Sequence, residues 1–190
     1  PAQVGVSLYC VERGGDVTYH GPGQATVYPI FDLHYFKKDI HFFLRYLEQI
    51  IIDLLADFNV FGVRQEGFTG VWVQDGGMLK KIASIGISIK NWITFHGLSL
   101  NVKQDDLGNF SYIKPCGMDI QMTSLESVLG KEVEMADITT RFSSIFRDTQ
   151  QPKAGTPNNP IGRVSPLGDL GGTLSFDSPG VPLTARRSYD

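Results

Sequence analysis

Only two of the 190 residues are cysteine, Cys10 and Cys116, too few for the disulfide framework that staples small secreted domains. No charged segment followed by an apolar run opens the chain, so no cleavable signal is read and a reducing, cytoplasmic setting is expected. Long hydrophobic runs are missing as well. The longest, around Ile50-Ile51-Ile52, is broken by charges well before the roughly 20 residues that cross a bilayer, which predicts a soluble protein with no membrane partner. Neither sign of charge dominates: a formal charge of −3 gives no general attraction to nucleic acid. His34 and His41 flank a helical stretch with no carboxylate or cysteine at ligand spacing, so they read as surface or cap groups and no metal is expected. Walker A and the spaced G-x-G-x-x-G fingerprint are both absent, as is any internal repeat.

What is present is a glycine-dense loop, Arg13-Gly14-Gly15-Asp16-Val17-Thr18-Tyr19-His20-Gly21-Pro22-Gly23-Gln24, between two strand-like segments. Gly14 and Gly15 let a ligand approach bare backbone, and Gly21-Pro22-Gly23 makes a second, stiffer bend. A simple hairpin link would need far fewer residues. The alternative is a structural turn with a satisfied histidine.

A content of 42% hydrophobic residues is enough for one proper core. Residues 4 to 11 alternate, with Val4, Val6, Leu8 and Cys10 on one side, predicting a half-buried strand and a core Cys10. Residues 24 to 33 predict a second strand. Over 39 to 58, Ile40, Phe43, Leu44, Leu47, Ile51, Leu54, Leu55 and Phe58 recur at helical spacing. Short strands are expected over 60–64, 70–73, 79–89 and 93–102, with Asp75-Gly76-Gly77 as a hairpin turn. Thr123-Ser124-Leu125-Glu126 reads as a capping box opening a helix closed by Gly130, and Asp137 opens a last helix striped by Ile138, Phe142, Ile145 and Phe146. The fold class is α/β (α+β), a mainly antiparallel sheet flanked by helices. Residues 1–149 form the expected folded domain. Residues 150–190, rich in Pro, Gly, Ser, Thr and Asn, are expected to be a disordered tail. A first residue that lies almost inside a strand suggests that further chain precedes Pro1.

Two residues carry chemistry. Period-two counting puts Lys81 on one face with Ala83, Ile85, Ile87 and Ile89, where its stem snorkels at the strand end or its amine sits in a desolvating cleft. Cys116, between Pro115 and Gly117, is either a packed small residue or a nucleophile with that lysine as base. The loop pattern followed by Tyr28-Pro29, then Lys81-Ile82-Ala83-Ser84-Ile85-Gly86, then Thr94-x-His96-Gly97-Leu98-Ser99-Leu100-Asn101-Val102, then Pro115-Cys116-Gly117 with Thr123-Ser124-Leu125, resembles the octanoyl-(acyl carrier protein):protein octanoyltransferases. The four motifs stand in the family's order between residues 13 and about 130.

The resemblance implies a biotin/lipoate ligase-like catalytic domain and a cysteine–lysine acyltransferase with no cofactor. Cys116 becomes the acyl-thioester nucleophile and Lys81 the base. Arg13, Gly14, Gly15, Asp16, Val17, Thr18, Tyr19 and His20, with Ser84, Ile85, Gly86, Gly97, Leu98 and Ser99, become the substrate-binding residues. His20 is assigned to positioning or to the developing oxyanion. The implied partners are octanoyl-acyl carrier protein as donor, and as acceptors the apo lipoyl domains of 2-oxoacid dehydrogenase E2 subunits and the glycine cleavage H protein. This sequence departs from the family pattern at Ser99, where alanine is expected, and in lacking an N-terminal motif around His-Pro-Pro and Tyr-Thr that contributes to the acyl pocket. The rival readings are an ATP-dependent lipoate or biotin ligase, which needs no cysteine, and a non-catalytic acyl or lipoyl-domain binding module. Lys80, adjacent to Lys81, is the competing base, and Lys81 is chosen on parity and on the Lys-Ile-Ala match.

Overall fold

A computed structural model describes residues 7–113, 120–150, 174–176 and 183–185. The expected nucleophile Cys116 lies outside them, as does most of the expected tail.

Asp39 caps the scaffold helix α1 (Ile40–Asp57), its side chain accepting from the Phe42 amide at 3.0 Å. Phe43, Leu47, Ile50, Ile51, Leu54 and Leu55 are buried along one side of α1. Ile40 is exposed, because it occupies the first position, before the helix reaches the sheet. Strands β2 (Gln24–Pro29), β3 (Val71–Asp75), β4 (Met78–Lys90) and β5 (Ile93–Asn101) form an antiparallel sheet ordered β3-β4-β5-β2. Gly76-Gly77 turns the β3–β4 hairpin as expected. Helix α2 (Leu125–Leu129) leads to α3 (Met135–Gln150), and α1 and α3 together cover one face of the sheet. Ala25, Val27, Ala83, Ile85, Leu98 and Leu100 point into that layer and pack with Phe142 and Phe146 of α3. The alternating residues Thr26, Ser84, Gly86, Gly97 and Ser99 point to the other face. Period two thus gives the sheet a core side and a site side.

Several local expectations are corrected. The first strand, β1 (Leu8–Cys10), is exposed throughout, and Cys10 with it, because β1 pairs outside the main sheet. Residues 60–64 contribute a single bridge, Val63 to Trp72, rather than a strand. Ser124, not Thr123, caps α2, accepting from the Ser127 amide, while Glu126 turns away to Lys103 and to the amides of Gln104 and Val133. Gly130 closes the helix in the left-handed region. Two three-residue strands for which the composition gives no signal, β6 (Leu174–Phe176) against β2 and β7 (Leu183–Ala185) against β1, fall in the stretch read as a tail. No helix among the described residues is long and apolar enough to cross a membrane.

Candidate active site

A cavity of about 480 Å³ opens on the site face of the sheet, within the span of about 300–1,000 Å³ usual for small-molecule pockets. Two cross-strand rows make its floor. Ser84, Ser99 and Thr26 pair across β4, β5 and β2, and Gly86 pairs with Gly97 beside Tyr28. The glycine loop folds over the second row: the Gly14 amide donates to the Ile87 carbonyl at 2.8 Å. Gly86 has to be glycine, since a Cβ there would stand 2.7 Å from the Gly14 oxygen and 3.0 Å from Arg13 Cδ. A loop so seated brings Arg13, Gly15, Asp16, Val17, Thr18 and His20 to the cavity wall. Arg13 is 8% exposed and donates from Nη1 to the Gly14 carbonyl.

Of the expected binding residues, Ser84, Ile85, Gly86, Gly97, Leu98 and Ser99 all reach the cavity. Gly14 and Tyr19 do not line it. Gly14 is the seat of the loop on β4, and Tyr19 is a buried anchor whose hydroxyl accepts from Asn109 Nδ2 at 2.8 Å and whose ring meets Phe110 edge-on.

Lys81 lines the cavity at 6% exposure, and a β-bulge is the reason. Val71 pairs with Ala83 but Trp72 pairs with Lys81, so Ile82 is an extra residue and joins Ala83 in the core. Lys81 therefore does not share the apolar face with Ala83, Ile85 and Ile87, as counting by twos predicts; the bulge turns it to the site side with Ser84. Its Nζ stands 4.9 Å above the Trp72 ring and its stem lies along Gly70. Lys80 is engaged elsewhere, paired with Asp75 at 2.9 Å. That bond, then the hydrogen bond from Thr123 Oγ1, holds the Asp75 carboxyl below the usual carboxylate range. Backbone bonds join Lys81 to the chain that follows the 114–119 stretch: the Lys81 amide donates to the Gln121 carbonyl at 2.8 Å, and the Thr123 amide to the Lys81 carbonyl at 2.9 Å.

Sequence reasoning missed part of the wall. Gly67, Phe68 and Thr69 form one side, and their glycine-dense setting is the same signal that marked the first loop. Tyr9, Val11, Thr26 and Tyr28 complete the lining on the β1–β2 side. His96 also faces the cavity and takes a left-handed φ of 59°. The β2–β5 ladder stops at Val27–Leu98 and resumes at Asp32–Ile93, with the Thr94 hydroxyl serving the Pro29 carbonyl and the Phe31 amide between them. Burial, then the Arg13 charge, pushes the His96 imidazole down, so it stays neutral below its ordinary range.

The lipoyl protein ligase A/B catalytic domain model matches residues 2–147. The chain belongs to that family. Among curated relatives, an octanoyltransferase of Gloeobacter violaceus is 46% identical over 152 residues, covering 78% of this chain and 66% of that protein. One of Cytophaga hutchinsonii is 51% identical over 132 residues, covering 68% and 54%. The chain thus spans between about half and two thirds of the length of these relatives. Among solved structures, the biotin protein ligase of Aquifex aeolicus with biotin and ATP superposes with a TM-score of 0.50 at 14% identity, over 82% of this chain and 66% of that one. The biotin/lipoate ligase-like fold expected from the sequence is therefore the fold of this family member.

Proposed function

We propose that this chain is an acyltransferase that moves an octanoyl group from octanoyl-acyl carrier protein to a lysine amine of apo lipoyl domains. The observation that carries this reading is the convergence of the glycine loop, the Gly86–Gly97 row and a buried Lys81 on one cavity. Relatives at 43–51% identity that bear the name octanoyltransferase support it. The 2-oxoacid dehydrogenase E2 subunits and the glycine cleavage H protein are the acceptors that the family resemblance implies.

In this mechanism Lys81 takes the proton of the Cys116 thiol, and the thiolate attacks the octanoyl carbonyl. The carbon–sulfur bond to the carrier's pantetheine breaks, and the departing thiolate takes up that proton. The acceptor amine then attacks the Cys116 thioester, Lys81 accepts the amine's surplus proton, and the cysteine sulfur leaves. An amide lies downhill of a thioester, so ATP has no part. The ligase reading shares the fold but runs through an adenylate of a free acid.

The test is a transfer assay with purified octanoyl-acyl carrier protein and an apo lipoyl domain, without ATP. Octanoylation of the acceptor, lost in Cys116→Ser, is expected. Octanoylation that needs free octanoate and ATP would make the chain a ligase, and binding without any product would leave only the binding-module reading.

A further inference from the structure

Beside the cavity a relay of side-chain amides ends on His20. Asn101, 3% exposed at the end of β5, donates from Nδ2 to the Thr123 carbonyl at 2.9 Å. A carbonyl only accepts, so the atom Asn101 turns toward Gln24 is its oxygen, and Gln24 Nε2 donates to it at 3.0 Å. Gln24 Nε2 also donates to the Tyr19 carbonyl at 3.0 Å, a second partner that can only accept. Both amide orientations are thereby fixed by backbone carbonyls. What remains of Gln24, its Oε1, meets His20 Nδ1 at 3.0 Å. An amide oxygen has no hydrogen to give, so the hydrogen in that bond belongs to His20 Nδ1.

We infer that Gln24 and Asn101 are positioning residues that hold His20, a residue of the cavity wall, as the Nδ1–H tautomer, which makes Nε2 the accepting nitrogen of the ring. In a transfer reaction Nε2 of His20 can then only accept a hydrogen bond and cannot donate one to an oxyanion. That role rests on the transferase reading; the tautomer does not. The same relay sets His20 in register with Lys81, because Thr123, whose carbonyl receives Asn101, donates its amide to the Lys81 carbonyl. A neutral imidazole in water prefers hydrogen on Nε2, so the relay reverses the ring's own preference.

The test is a two-bond proton–nitrogen correlation spectrum of the full chain labelled with 15N-histidine, recorded where the rings are neutral. His34, whose Nδ1 meets Asp32, gives a similar signal, so His20 is identified by its loss in His20→Gln. The expected result is a protonated Nδ1 and a bare Nε2 for His20. A protonated Nε2 overturns the inference. In Gln24→Met the ring should revert toward Nε2–H, and single-turnover transfer should slow by roughly 10- to 100-fold, the scale known for side chains that fix the tautomer of metal-bound imidazoles. An unchanged tautomer in Gln24→Met also overturns it. Should the wild-type chain transfer nothing, the transferase reading falls while the spectrum still decides the tautomer.

Discussion

Two adjacent lysines at the start of β4 have opposite fates, and a single inserted residue decides which. The bulge at Ile82 sends Lys81 to the cavity and leaves Lys80 to Asp75. We predict that Lys81→Met lowers octanoyl transfer by about 100-fold or more, the range of a lost general base, while Lys80→Gln stays within a few-fold of wild type. Equal losses in a transfer assay would contradict this assignment. Gly70 holds Lys81 from the other side. It has φ of 132°, and a Cβ there would stand 2.5 Å from the Ala83 carbonyl oxygen and 2.7 Å from Lys81 Cε, so Gly70→Ala should force the turn away from β4, displace the amine and slow transfer by about 100-fold, with a lower midpoint in denaturant unfolding; unchanged transfer and midpoint would contradict this. His96 carries a pH signature. Its imidazole is depressed in the folded state, so between that value and about 6.5 the unfolded chain binds more protons and stability rises with pH. The contribution is complete above about 6.5 and is lost as pH falls through the folded value. In His96→Asn, chosen because asparagine tolerates the left-handed backbone, urea unfolding should lose that part of the pH slope; an unchanged slope would contradict it.

At the scale of elements, helix α1 does more than cover the sheet. Glu48 is fully buried on it, bonded by Arg45 at 2.6 Å, by Arg64 at 3.0 Å and by the Gly70 amide at 3.1 Å. It pins the 66–70 turn, and with it the cavity wall, to the scaffold. Glu48→Ala should destabilise by about 1.5–3 kcal/mol, the worth of a hydrogen bond to a charged group, measured by denaturant unfolding. A neutral effect would show the turn to be held otherwise. The helix itself was plain in the sequence, since its apolar spacing and its cap agree. So were the β3–β4 hairpin and the long strand β5 that follows it. What could not be read was anything set by partners distant in sequence: the Ile82 bulge depends on β3, the exposure of Cys10 on β1 leaving the main sheet, and the burial of Glu48 on Arg64 and the Gly70 amide, which only the fold brings to it. The capping box failed by one residue because Thr123 gives its hydroxyl to Asp75 and Glu126 its carboxylate to Lys103, Gln104 and Val133, leaving Ser124 as the cap.

Over the whole molecule, the chain sorts its residues by sheet face: helices and core on one side, glycine loop, hydroxyl row and Lys81 on the other. The glycine loop, Lys81 and the 84–86 and 97–99 segments of the cavity were legible from motifs whose spacing matches a known family. The 66–70 wall, His96 and the Tyr9, Val11, Thr26 and Tyr28 side were not, because their places at the cavity arise where a turn, an interrupted ladder and strands distant in sequence meet. The central claim is that this surface passes an acyl group through Cys116. It is tested most directly by intact-protein mass spectrometry of the chain after mixing with octanoyl-acyl carrier protein alone. The account predicts a hydroxylamine-labile octanoyl adduct, absent in Cys116→Ser and discharged when an apo lipoyl domain is added. An adduct that persists in Cys116→Ser, or transfer to the lipoyl domain with no adduct on the pathway, would contradict it.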